Sequence, residues 1–208
     1  MKPGVIVSNC AQGSLEWFNL RRGVVTASNV HKALAKKGSE SRSGFISELI
    51  AQIATDELPE QINARAMEWG KAQEPVARST YEFARGVEVQ EVGFILSECK
   101  RLGASPDGLI IKENRGLEIK CPFTSKVHVD FLLMDKIKLE YIYQVQFSMW
   151  VSGLDTWDFA SFDPRFKKNL LKFHTIERDE SLFERFKNEI GEFLIDMDAA
   201  VNKLALGF

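Results

Sequence analysis

Hydrophobic positions recur along the chain with two different periods, and the switch between them divides it. In "SGFISELIAQIAT", Phe45, Leu49, Ile50 and Ile53 fall three and four residues apart, as one face of a helix requires. "SLEWFNLRRG" reads as a short helix stopped at Gly23. "TASNVHKALAKKG" (26–38) reads as another, capped by Thr26 or Ser28 and ended by Gly38. The helical pattern returns over 62–85, with an adjustment expected at Pro75. From "VEVQEVGFILSE" onward the period drops to two, and a hairpin follows. "SKVHVDFLLMDKI" and "LEYIYQVQFSMWVSG" go back to helix, "TWDFASFD" and "LLKFHTIERD" to strand. The tail, 179–205, is a helix with Leu182, Phe186, Ile190, Phe193, Leu194 and Met197 on one side. Helices, about three strands, helices, two strands and a helix predict an α/β fold: a mixed central β-sheet flanked by helices.

No repeat, low-complexity run or Pro/Gly-rich linker interrupts the 208 residues, which predicts a single domain over 1–208. The apolar and charged shares, 45% and 27%, are those of a soluble globular protein. The start, "MKPGVIVSNCAQGS", does not read as a signal peptide, and no apolar run is long enough for a membrane. Cys10, Cys99 and Cys121 are widely spaced and form no CxxC pair. They predict a cytoplasmic, reducing setting, with no disulfide framework, zinc site or iron–sulfur cluster. Net charge is −2, so nothing global marks a nucleic-acid binder. The charge is uneven, however. Residues 1–50 carry seven Lys/Arg against three Glu, and residues 179–208 carry seven Asp/Glu against three Lys/Arg. A basic face can hold a polyanion locally; two ordinary solvated helix faces give the same distribution.

The hairpin "ASPDGLIIKENRGLEIKCPF" (104–123) holds the candidate chemistry. With a turn centred near Asn114, position 108 falls opposite about 120, and Asp107 lies beside the Glu118–Lys120 end of the partner strand. Leu117, Ile119 and Cys121 share one face, Glu118 and Lys120 the other. A solvated hairpin can carry Asp-Gly and Glu-x-Lys too. Helices on both sides in the chain argue instead that both sheet faces are covered, where charges are costly without partners. Pro106 and Pro122 fix the chain at either end. Two carboxylates on neighbouring strands suit Mg²⁺, or Mn²⁺, which accepts the same oxygen ligands. Two ions could clamp an in-line displacement at phosphorus, and a lysine could orient water and offset the growing charge. The pattern is that of a metal-dependent phosphodiesterase.

These residues resemble the motif of the PD-(D/E)xK nuclease superfamily, with its restriction-endonuclease-like core. Within it the chain resembles the phage lambda-type alkaline exonucleases, the YqaJ-like viral recombination nucleases. "WFNLRRGVVTASNV" (17–30), "AMEWGKAQEPVAR" (66–78), "YQVQFSMWVSG" (143–153) and "FASFDPRFK" (159–167) resemble that family in the same order as the hairpin. The resemblance implies a catalytic set of Asp107, Glu118, Lys120, Gln144 and Glu74, with metal held at Asp107, Glu118 and Ile119. It assigns a 5′-phosphate pocket to Arg21, Ser28 and Ser105, where the residues alone show two arginines before a helix start. It makes Met67 a strand-separating wedge; by itself Met67 also reads as core. It implies a Mg²⁺-dependent 5′-to-3′ exonuclease on linear double-stranded DNA that acts from 5′-phosphorylated ends and releases mononucleotides. It further implies a ring-shaped homotrimer and a single-strand annealing protein as partner. The segment 36–47 looks trimmed against the family. A sequence- or structure-selective endonuclease on the same fold, or an inactive DNA-end-binding protein, stand as alternatives. The four tryptophans, 17, 69, 150 and 157, read most simply as core, and the three histidines receive no role.

Overall fold

The computed structural model describes residues 1–55 and 64–206. The chain opens with β1 (Ile6–Ser8), α1 (Leu15–Arg21) and β2 (Val25–Thr26), then α2 (Val30–Ala33), α3 (Glu40–Thr55) and α4 (Ala64–Arg85). Next come β3 (Phe94–Leu96), β4 (Leu102–Ala104), β5 (Gly108–Ile110) and β6 (Arg115–Lys120). It ends with α5 (Ser125–Met134), α6 (Leu139–Ser152), β7 (Thr156–Phe162), β8 (Leu171–Glu177) and α7 (Glu180–Lys203). The expected mixed α/β class with flanking helices is observed. The strands divide into two four-stranded sheets, ordered β1-β3-β4-β2 and β5-β6-β7-β8. Each is mixed: β2–β4 and β6–β7 are parallel pairs, and the others are antiparallel. An isolated bridge between Gln90 and Leu109 links the chain before β3 to β5.

Several local expectations need correction. β1, β2 and β4 were not predicted, being two or three residues long, too short to show a period. The helix expected over 26–38 is instead a 3₁₀ turn, Ala27–Asn29, followed by four residues of α2. Thr26, Ser28 and Asn29 are residue types that favour turns over helix interiors, and here their side chains bond one another. The helix expected over 62–85 is α4; residues 62 and 63 lie outside the described residues. α4 runs through Pro75, which leaves the Lys71 carbonyl without its helical donor.

α6 sits between the sheets. Val145, Phe147, Met149 and Val151 are buried in the main core, with Ile95 and Ala104 of the first sheet and Trp157 and Phe159 of the second. Gly153, at φ +73°, ends α6 in a left-handed cap, and a Cβ there would come within 2.8 Å of the Lys2 backbone nitrogen. On α7, Phe183, Phe186, Ile190, Phe193 and Met197 are buried at alternating three- and four-residue steps. Phe183, rather than the expected Leu182, leads this stripe. Asp179 caps α7 by accepting from the Ser181 and Leu182 amides.

The charge asymmetry is partly resolved within the chain. Asp196 on α7 pairs with Lys37 (3.1 Å) and with buried Arg42 (3.0 Å), and Asp198 pairs with Arg101 (2.8 Å). The basic N-terminal part and the acidic tail therefore neutralise each other in places. No helix among the described residues is long and apolar enough to cross a membrane.

Candidate active site

The hairpin register differs from the expectation. Gly108 pairs with Leu117, not with a residue near 120, because a 3₁₀ turn, Ile111–Glu113, and a left-handed Asn114 reverse the chain early. Asp107 is thereby brought level with Glu118. Its amide donates to the Leu117 carbonyl (3.0 Å), and its Oδ2 accepts from the Ile119 amide (2.5 Å). Along a strand the N–H and C=O of one residue turn to the same edge. The Ile119 carbonyl therefore faces Asp107, beyond the end of β5.

Side-chain alternation does the rest. Leu117 and Ile119 pack with Ala77 and Tyr81 of α4. Glu118 and Lys120 point the other way, toward α6. Glu118 is 4% exposed; its Oε1 accepts from Lys120 Nζ (2.5 Å) and Gln144 Nε2 (2.7 Å). Lys120 also donates to Gln144 Oε1 (3.2 Å) and lies 4.9 Å from the centre of the Tyr141 ring. Burial alone would lower the Lys120 pKa, but Glu118 and Asp107 outweigh it and push the ammonium up to about 12. At neutral pH it is a donor and a positive charge, not a base. The neighbouring glutamine stands apart from this cluster. Gln146 is buried and braces the β8–α7 connection through the Glu177 carbonyl and the Asp179 amide.

Glu74 joins from α4 through Arg78, a residue that the sequence patterns did not single out. Arg78 Nη2 donates to Glu74 Oε1 (2.5 Å), Nε to the Asp107 carbonyl (3.0 Å), and Nη1 pairs with Glu91 (2.7 Å). The available signal was the i,i+4 spacing of Glu74 and Arg78. Burial, then the Glu118 and Glu74 charges, push Asp107 well above the usual carboxylate range; burial also raises Glu74. A cation would relieve this repulsion. Among the described residues no three Asp, Glu, His or Cys side chains form a ready cage. Two carboxylates and a carbonyl with room for water still fit Mg²⁺, which binds few protein groups and keeps its waters.

A cleft of about 470 Å³ opens beside these acids. Its walls are Asn9–Gln12 on one side and Lys71, Glu74, Pro75 and Arg78 of α4 on the other; Gly93 and Asp107 help close it. Any side chain at Gly93 would strike the Cys10 backbone, so glycine lets this wall approach. Both prolines that flank the motif are held from afar: Gln12 Nε2 donates to the Pro106 carbonyl (2.9 Å) and Arg165 Nη2 to that of Pro122 (2.9 Å).

Arg21 and Ser105 are brought together, with Arg21 Nη1 donating to Ser105 Oγ (3.0 Å). Trp17 supports both: its Nε1 donates to Ser105 Oγ (2.9 Å), and its ring lies 4.1 Å from the guanidinium carbon. Burial lowers the Arg21 pKa to about 10, and no carboxylate pairs with it among the described residues. Ser28 is linked to Thr26 (3.4 Å) instead of to these two. The three-residue turn that holds it leads into α2, a helix of only four residues. Met67, at the start of α4, is 49% exposed and therefore not core. Trp157 is fully buried, Trp150 and Trp17 pack on buried hydrophobic clusters, and Trp69 is partly exposed.

The chain matches the model of the YqaJ-like viral recombinase domain over residues 16–155. It is similar to an alkaline exonuclease (LHK-Exo) from Laribacter hongkongensis, at 37% identity and a TM-score of 0.83, over 92% of this chain and 96% of that one. The structure of LHK-Exo in complex with dAMP matches at 36% identity and 0.84 over the same shares. ExoD, an uncharacterized protein of Escherichia coli (strain K12), is 40% identical over 74 residues, 36% of this chain and 85% of that one.

Proposed function

Because the chain belongs to the YqaJ-like viral recombinase domain family, whose alkaline exonucleases are nucleases, we propose that it is a Mg²⁺-dependent exonuclease on linear double-stranded DNA. It degrades one strand 5′ to 3′ from a 5′-phosphorylated end, releases mononucleotides and leaves a 3′ single strand for recombination by annealing. The observation that carries this reading is the mutual hydrogen bonding of Glu118, Lys120 and Gln144 beside Asp107. Asp107, Glu118 and the Ile119 carbonyl would hold the metal, Mn²⁺ being an acceptable substitute for Mg²⁺. When bound, one or two divalent ions supply positive charge to the phosphoryl oxygens and a more acidic water.

The residues of the chain do the rest. Lys120 donates toward the attacking water or the phosphoryl oxygen, and Gln144 holds Lys120 and Glu118 in place. Glu74, held by Arg78, is a further acid near the metal, directly or through water. As the water oxygen joins phosphorus, the bond to the 3′-oxygen breaks and that oxygen takes a proton. A mononucleotide leaves, and the shortened strand carries a new 5′-phosphate for the pocket of Arg21, Ser28 and Ser105. Met67, exposed at the start of α4, is the wedge that parts the strands in this reading. The cleft falls within the ~300–1,000 Å³ of small-ligand sites, and dAMP bound to LHK-Exo supports a mononucleotide product.

Duplexes labelled at either end, with and without a 5′-phosphate and with and without Mg²⁺, test this. Label from the phosphorylated 5′ end should be released first and only with the metal, while a circular duplex stays intact. Cutting of the circle would favour an endonuclease; binding of ends without any cutting would favour an inactive end-binding protein.

In this reading residues 1–208 act as one nuclease domain, and three copies close into a ring that keeps the DNA by topology, with a single-strand annealing protein as partner. Such a ring needs two different patches on each copy. Light scattering should give about three times the 23.6 kDa of one chain; a stable monomer at working concentration would remove the ring.

A further inference from the structure

The segment after Lys120 carries an exposed aromatic group that the chemistry above does not use. Phe123 is 51% exposed. Trp69 of α4 meets it edge-on, with ring centroids 6.3 Å apart and planes at 83°. The Arg165 guanidinium lies over the Trp69 ring, 4.7 Å from its centre.

Arg165 is fixed in plane. Nε donates to Asp163 Oδ1 (2.7 Å), Nη1 to the Phe123 carbonyl (2.9 Å), and Nη2 to the Pro122 carbonyl (2.9 Å) and Asp163 Oδ2 (2.9 Å). A guanidinium has about five N–H donors, and four are used here. The fork is therefore not free to grip a phosphate, and what Arg165 presents outward is its flat face. The loop that carries it is anchored at both ends. Asp163 is fully buried, and buried His128 bonds both Ser161 Oγ (2.8 Å) and the Asn169 carbonyl (2.8 Å).

We propose that Phe123, Trp69 and Arg165 form a stacking platform for an unpaired nucleobase beside the scissile phosphate. This rests on the nuclease reading and adds a subsite to it. Every base has a π-face, and aromatic rings and guanidinium planes stack on it without regard to sequence. Phe123 lies three residues beyond Lys120, hence within about 10 Å along the chain. A duplex end must fray before its terminal phosphodiester can reach Asp107 and Glu118, and the freed base then lacks its stacking partner. A fixed, exposed ring at this distance replaces it.

The test uses single-turnover release of the first nucleotide in Mg²⁺, with protein concentration varied, for wild type and Phe123→Ala, Phe123→Leu and Phe123→Tyr. Phe123→Ala and Phe123→Leu should raise the half-saturating protein concentration by roughly 5- to 100-fold, the scale of one lost base stack. Phe123→Tyr should stay near wild type. Substrates with one abasic residue at each of the two terminal positions of either strand locate the base. At one position, removing it should reproduce the Phe123→Ala effect in wild type and cost nothing further in the variant. Phe123→Leu behaving like Phe123→Tyr would show that apolar bulk suffices and would overturn the platform, as would full additivity at every abasic position. Wild-type protein that digests no linear duplex would instead remove the nuclease reading, and the platform with it.

Discussion

Glu118→Gln is expected to reduce digestion of 5′-phosphorylated linear duplex to background. The loss should be roughly 10²- to 10³-fold or more, the scale that follows removal of one electrostatic group at a reacting centre. The amide keeps the size of the side chain but not its charge. It would leave Lys120 without its anion and Asp107 as the one acid on the hairpin for a metal. Glu118 packs with Lys120 and Gln144 rather than in the apolar core, so the fold should persist, and a melting curve by circular dichroism checks this. Near wild-type release of end label by a folded Glu118→Gln protein would sink the assignment of the whole set.

Arg21→Ala is the second large effect, and it separates recognition of the end from chemistry. Arg21 is a partly buried cation whose partners are a hydroxyl and two aromatic rings, those of Trp17 and Phe94. A terminal phosphate has more charge and more free oxygens than an internal diester, so it gains more from this guanidinium. The variant should digest 5′-phosphorylated duplex far more slowly and 5′-hydroxyl duplex at nearly its former rate. One charge-assisted hydrogen bond contributes about 1.5–3 kcal/mol, so the phosphate-over-hydroxyl rate ratio should shrink by roughly 10- to 100-fold. If both rates fall equally and the ratio holds, Arg21 serves general binding or folding, and the phosphate pocket lies elsewhere.

Sequence patterns located these groups better than they located the backbone between them. Helices over longer segments were legible: α3 covers "SGFISELIAQIAT", and α6 and α7 fall within "LEYIYQVQFSMWVSG" and the tail 179–205, as read. Strands β1, β2 and β4 were not, since their pairing is decided by distant partners and their length hides any alternation. The side-chain faces of β6 followed directly from its alternation, whereas the hairpin register depended on a 3₁₀ turn that no residue type announces. Arg78 was invisible for a related reason. Its three acceptors come from α4, the chain before β3 and the chain before β5, and only the fold gathers them. Arg165 reads as one more surface cation until the carbonyls of Pro122 and Phe123 fall in its plane.

Lys37 and Arg42 share the one carboxylate of Asp196, and Arg101 pairs with Asp198, so two of these three positive charges meet any polyanion already neutralised. Duplex DNA surrounds itself with condensed counterions, and a protein cation gains affinity by setting them free, with log affinity falling about 0.9 per phosphate neutralised for each unit of log salt. A cation whose counter-charge is built into the same chain must break that pair first and so contributes little to this slope. Arg101 and buried Arg42 therefore make weak handles on the sugar–phosphate backbone at large, while exposed Lys37, which shares Asp196 with Arg42, keeps part of its charge. Arg21 has no carboxylate partner among the described residues; if it holds the 5′-phosphate as proposed, discrimination of an end from the rest of the duplex should outlast rising ionic strength better than hold on the duplex itself.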